Sequence, residues 1–178
     1  MLMLSESIRI GVVTGHLPLN HVSANISQDK VLEKLRLLNK SLKQDFGIRK
    51  PKIAVLGLNP HAGDQGVLGS EEDDIISPAL LKAKKENIMS FGPYPADSFF
   101  GSDKLCAFDG ILAMYHDQGL IPFKTLAFGK GVNFTSGLSF IRTSPDHGTA
   151  FEIAGKNKAN EFSFREAVFT ACDIYKKR

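Results

Sequence analysis

Five histidines occur in the chain, and three of them share one local context. His16 follows a β-branched apolar run in VVTGHLP. His61 follows a second such run in GLNPHAG, and His116 a third in AMYHDQG. In an open α/β sheet, ligands bind in the crevice beyond the carboxyl ends of the strands. Three neighbouring parallel strands would therefore bring these three imidazoles to one rim. Three neutral imidazoles with a fourth position left open make a zinc-type catalytic site. Nitrogen donors also suit cobalt or nickel, and suit magnesium less well. The spacing matches no local metal motif such as HExxH, so the site exists only if the sheet assembles in that way. His21 lies on the approach to the first helix and reads as an ordinary hydrogen-bonded loop histidine.

Other polar groups cluster near these in sequence. Asp117 is placed either to orient the neighbouring imidazole or to cap a loop. Lys124, Asn133 and Arg142 lie in IPFKTLAFGKGVNFTSGLSFIRTS, which reads as a glycine-rich, irregular segment over Thr125 to Phe140. A lysine, an amide and an arginine in such a loop suit a phosphate or a carboxylate. Asp97, in GPYPADSFF, is a further polar contact or a turn residue.

The elements that must hold these groups alternate between short apolar runs and longer helical ones, the mark of an α/β fold. Strands are expected at Ile8 to Thr14, Ile53 to Leu58 and Gly110 to Tyr115. After Ser27, Val31, Leu35, Leu38, Leu42 and Phe46 recur at helical spacing, with Ser27 as N-cap and Gly47 as the stop. Shorter helices are expected near Glu71 and at Ser77, where Pro78 takes the first turn. A last helix carries an apparent capping box, Ser163 with Glu166, and ends in a basic Lys176-Lys177-Arg178 tail.

A length of 178 residues allows one domain, or one and part of another. With 43% hydrophobic and 23% charged residues the chain is neither disordered, collagenous nor coiled-coil. A net charge of +3 is too small and scattered to argue for nucleic acid, but it suits a small anionic ligand. No apolar run is long enough to span a bilayer, and MLMLSESIRIG lacks the basic start of a secretory signal. Cys106 and Cys172 stand apart with no CxxC, so a reducing cytoplasm is the expected compartment.

GHLPL, GLNPHAG, GPYPAD, YHDQGLIPFK, GKGVNFTSGLSFIRTSPDHGTAFEIAGK and FSFREAV, in collinear order, resemble the C-terminal portion of the 4-hydroxythreonine-4-phosphate dehydrogenases. These are enzymes of pyridoxal phosphate (vitamin B6) biosynthesis. The resemblance implies an isocitrate/isopropylmalate dehydrogenase-like three-layer αβα fold, present as a C-terminal half chain. Residues 1–125 then form a metal-binding and dimerisation domain, and residues 126–178 the end of an incomplete nucleotide-binding domain. It implies a divalent metal, with zinc first and cobalt or magnesium as alternatives, on His16, His61 and His116. One of these histidines comes from the other subunit of a homodimer. Substrate contacts are implied at Lys124, Asn133 and Arg142, with Asp97 as a further polar contact. The adenosine part of NAD is implied at His147, Gly148, Thr149, Ala150 and Asn160.

The reaction so implied is NAD-dependent oxidation of 4-phosphooxy-L-threonine, followed by decarboxylation to 3-amino-2-oxopropyl phosphate. Metal Lewis acidity eases loss of the alcohol proton and polarises the ketone. The general base stays open between Lys124 and a metal-bound water. Three further readings compete. The same chemistry could act on threonate or erythronate phosphate. A three-histidine zinc hydrolase, or a metal-binding dimerisation fragment without turnover, would use the imidazoles without NAD.

Overall fold

The computed structural model describes residues 1–127, 129–148 and 151–178. Its centre is one seven-stranded sheet. The strands are β1 (Leu2–Leu4), β2 (Arg9–Val12), β3 (Lys52–Leu56), β4 (Met89–Tyr94), β5 (Gly110–Ala113), β6 (Val132–Phe134) and β7 (Thr143–Pro145). Their spatial order is β4-β3-β5-β2-β1-β6-β7. The β4-β3-β5-β2 half is parallel, whereas β1, β6 and β7 attach as antiparallel neighbours.

Two apolar clusters lie on opposite faces of this sheet. One face packs against α1 (Gln28–Gln44), α2 (Ser77–Lys85) and α5 (Phe162–Lys177), through side chains such as Leu35, Leu42, Ala79 and Ile174. The other packs against α3 (Ala96–Phe100) and α4 (His116–Leu126), through Phe99, Leu120 and Phe123. The molecule is thus a three-layer αβα sandwich, as expected. β6 and β7, from the segment after residue 125, belong to the same sheet as the strands before it.

The sequence patterns hold where they are strong. Ser27 Oγ accepts the amide of Lys30 and caps α1, whose Val31, Leu35, Leu38 and Leu42 are buried. Gly47 takes φ +71° just past its end. Three expectations need correction. The stretch from Leu120 to Leu126 is helix, despite Gly119 and Pro122, and Lys124 sits in its last turn. The expected irregular segment contains β6, and a second strand, β7, follows it. The Ser163–Glu166 capping box does not form. Helix α5 begins two residues earlier, at Phe162, and the Asn160 side chain accepts the Phe162 amide. Ser163 Oγ instead donates to the Gly131 carbonyl and accepts the Asp146 amide, tying α5 to the β6–β7 hairpin.

Candidate active site

β2, β5 and β3 are adjacent and parallel, so the loops carrying His16, His116 and His61 leave the same edge of the sheet. The rings of His16 and His116 lie 5.4 Å apart, centroid to centroid, tilted by 43°. They line a cleft of about 540 Å³ with Leu17, Leu19, Val22 and Tyr115. His116 Nδ1 lies 2.6 Å from Asp117 Oδ1. That contact holds the tautomer and leaves Nε2 for a ligand, the arrangement expected of a metal-binding imidazole. Of the two roles open to Asp117, orienting the ring is the one its geometry supports.

His61 does not join this pair within one chain. Among the described residues, no group of three histidine, cysteine or acidic side chains comes close enough to hold a metal. His61 is exposed and begins an unusual turn. His61, Ala62, Gly63, Asp64 and Gln65 all have positive φ, between 44° and 84°. Four of these five are not glycine, and left-handed backbone costs such residues about 1–2 kcal/mol each. The turn therefore needs outside support, and Glu72 provides it. This carboxylate is 3% exposed. Its Oε1 accepts the amides of Leu58 and Asn59, both at 2.7 Å, and its Oε2 accepts Asn59 Nδ2 at 3.0 Å. At Gly63 (φ +84°) an added Cβ would lie 2.7 Å from Glu72 Oε2, so only glycine fits there.

Glu71 completes the support from outside. Its carboxylate accepts Ser23 Oγ and Asn59 Nδ2, each at 2.7 Å. These bonds, Ser23's first, hold its pKa below the ordinary carboxylate range. Gln118 joins the two strand ends, accepting the Met114 amide and donating to the Gly57 carbonyl. Sequence reasoning missed Glu72 and Gln118. A buried carboxylate inside an acidic run, EEDD, looks like solvated charge until the fold is known.

Two of the expected substrate residues, Asn133 and Arg142, lie on the β6–β7 hairpin. Asn133 pairs with Ser144. Arg142, two residues before Ser144, shares its face by strand alternation. Met3, opposite Asn133 on β1, belongs to the apolar cluster beneath α4, so this is the α4 face. Arg142 donates to Thr135 Oγ1 at 2.8 Å. Asn133 Oδ1 is buried with no hydrogen-bond partner among the described residues, an acceptor left for a bound group. Lys124 Nζ stands 3.6 Å from Asp146 Oδ1, at the far end of the same hairpin. Eight residues separate Lys124 from His116 on α4, about 12 Å along the axis. Asp97, in the first turn of α3, is exposed, with Ser98 as its side-chain neighbour. α3 packs beside the His61 turn.

Of the expected NAD residues, Thr149 and Ala150 lie outside the described residues. His147 and Gly148 are exposed, with His147 Nδ1 2.9 Å from the Gly148 carbonyl. Asn160 caps α5. No helix among the described residues is long and apolar enough to cross a membrane.

Comparison with known proteins shows the family and the fold. Residues 1–171 match the family model described as pyridoxal phosphate biosynthetic protein PdxA. A curated relative from Bacteroides thetaiotaomicron, named 4-hydroxythreonine-4-phosphate dehydrogenase, is 52% identical over 100% of this chain and 49% of its own length. The crystal structure of a protein of that name from Klebsiella pneumoniae matches at TM-score 0.85 and 36% identity, over 97% of this chain and 53% of that one. A terephthalate 1,2-cis-dihydrodiol dehydrogenase from Burkholderia xenovorans matches at TM-score 0.78 and 30% identity, over 97% of this chain and 54% of that one. The chain spans about half the length of the curated relatives it matches. A family model matched over nearly the whole chain, with a relative at 52% identity, places the chain in the PdxA family.

Proposed function

We propose that this chain is the metal- and substrate-binding half of an NAD-dependent dehydrogenase. The enzyme oxidises 4-phosphooxy-L-threonine and releases carbon dioxide, giving 3-amino-2-oxopropyl phosphate for pyridoxal phosphate synthesis. The observation that carries this reading is the His16–His116 pair at the carboxyl edge of the sheet, in a chain 52% identical to a protein named for that activity.

His16 and His116 hold a divalent cation, zinc first by its preference for imidazole, and His61 of a second copy completes the set. Leu17, Leu19, Val67 and Leu68 flank these histidines and are exposed, an apolar border suited to a twofold interface. When bound, the cation supplies Lewis acidity toward the substrate hydroxyl and then the ketone. Asp117 keeps the His116 tautomer fixed. Arg142, Lys124 and the open Asn133 acceptor bind the anionic and polar ends of the substrate. Lys124 stands about two helical turns from the imidazole pair, which favours a charge-binding role over proton transfer at the rim. The exposed His147-Gly148 loop receives the adenosine end of NAD. The hydride chemistry belongs to that cofactor, and the protein supplies orientation and charge.

A shared site makes a distinctive prediction. His61→Ala and the double variant His16→Ala/His116→Ala each lose the metal. Mixing the two before dimer assembly restores about a quarter of the sites, in hybrid dimers with one intact set. Metal analysis showing no recovery in mixed dimers would overturn the sharing. Turnover is tested with 4-phosphooxy-L-threonine and NAD, using this chain together with the complementary half of the Bacteroides thetaiotaomicron relative. Absence of NADH formation there, beside an active full-length relative, would defeat the assignment.

A second reading keeps alcohol oxidation and changes the substrate. The same architecture occurs in a protein named for a cis-dihydrodiol of terephthalate, so the scaffold is compatible with other hydroxy acids. Comparing kcat/KM for 4-phosphooxy-threonine with threonate and erythronate phosphates separates the two.

A further inference from the structure

We propose that Glu72 and Gln118 are positioning residues that fix the His61 turn on the rim, so that it can reach the His16–His116 pair of a second copy. This rests on the reading of the three histidines as metal ligands.

A continuous polar strut runs beneath the rim. It starts at β5, where Gln118 Oε1 accepts the Met114 amide at 2.7 Å. The same side chain donates from Nε2 to the Gly57 carbonyl at 2.6 Å, at the end of β3. Both bonds use backbone groups that the strand ladders leave unpaired, so one amide fixes two strand ends against each other. The next two backbone amides, Leu58 and Asn59, point to Glu72 Oε1. Asn59 Nδ2 then bridges Glu72 and Glu71, and Glu71 accepts the hydroxyl of Ser23, seven residues past His16. All three histidine-bearing segments are thereby linked by hydrogen bonds of 2.6–3.0 Å.

The position of Glu72 argues for more than general support. Its carboxylate accepts three N–H bonds, all from Leu58 and Asn59 just before the turn, and has no cationic partner among the described residues. It also lies against that turn, since a Cβ at Gly63 would sit 2.7 Å from Glu72 Oε2. A left-handed run of mostly non-glycine residues at a functional loop persists only where its surroundings over-determine it. Glu72 does this for the turn that begins at His61. Gln118 ties the same strand end to the one that leads into His116.

The test is a cobalt(II) titration of the metal-free protein, reading the visible ligand-field band and the affinity. It compares wild type, Glu72→Gln and Gln118→Leu, each also in a His61→Ala background. Glu72→Gln keeps the shape and one acceptor oxygen for the Leu58 and Asn59 amides, but sets its NH2 against the Asn59 Nδ2 donor. Gln118→Leu removes both bonds without changing charge, and it carries the test should Glu72→Gln not fold. We expect each variant to lose cobalt affinity about 10- to 100-fold, with an altered band and wild-type far-UV circular dichroism. Against His61→Ala, neither adds a further loss. The proposal fails if the variants match wild type in band and affinity, or lose affinity equally with and without His61. A wild-type protein whose cobalt binding ignores His61 would instead defeat the underlying metal reading, and the strut's role with it.

Discussion

His116 has the most fully prepared imidazole at the rim. Its ring is half-buried, paired with His16, and held through Nδ1 by Asp117. Asp117→Asn keeps the shape but loses the charge that favours the Nδ1–H tautomer. It should weaken zinc binding about 10- to 100-fold in competition with a chromophoric chelator, leaving the thermal midpoint nearly unchanged. Glu71 makes a different prediction, in pH. Bonds from Ser23 and Asn59 favour its ionised form, so its folded pKa lies below its unfolded one. Its contribution to stability is therefore complete above the unfolded pKa and is lost as pH falls through the folded value. Glu71→Gln should lower the melting temperature at about pH 7, and the gap to wild type should narrow toward about pH 3. An unchanging gap across that range would show that the carboxylate's charge has no part in it. The histidines were legible as single residues because each follows a strong apolar run. The bonds around them were not, since Glu72 acts through backbone amides 13 and 14 positions away and Gln118 through a carbonyl 61 positions away.

At the scale of elements, α4 shows best how packing overrides local preference. DQGLIPF holds a glycine and a proline, both poor helix formers. Yet the segment is helical, because Leu120 and Phe123 are buried against the sheet. Gly119 faces the sheet so closely that a Cβ would lie 2.9 Å from Ile10 Cγ2 and 3.1 Å from Ala113 Cβ. Gly119→Ala should thus destabilise the protein by about 1–3 kcal/mol in urea unfolding, although alanine is the better helix former. A stabilised variant would mean that α4 stands off from the sheet. The short strands escaped a reading by period for a related reason. β1, β6 and β7 have three residues each, too few for alternation to show. β4 is a partly exposed edge strand containing Gly92 and Pro93, residues that read as a turn.

For the whole molecule, the proposed metal site is divided between copies. One chain presents two imidazoles together and a third on its own turn, bordered by exposed Leu19 and Val67. A second copy meeting this border would complete the set and cover the apolar side chains together. Leu19→Asp with Val67→Asp should shift the protein toward monomer in sedimentation equilibrium and lower metal content in parallel. Full metal content in a monomeric variant would rule out a shared site. At the other end of the sheet, the β6–β7 hairpin carries Asn133 and Arg142 on the α4 face, with Lys124 drawn to it by Asp146. The sheet itself continues past residue 125, where β6 pairs with β1.

Composition and periodicity alone determined the α/β class, the long first helix with its caps, and the strands that end in histidine. Those signals are local, set by how residues a few positions apart share a face. Strand order, the helical state of α4, and the capture of the His61 turn by Glu72 were decided only in three dimensions. Each depends on contacts between residues distant in sequence, whose energy exists only once the sheet has brought them together.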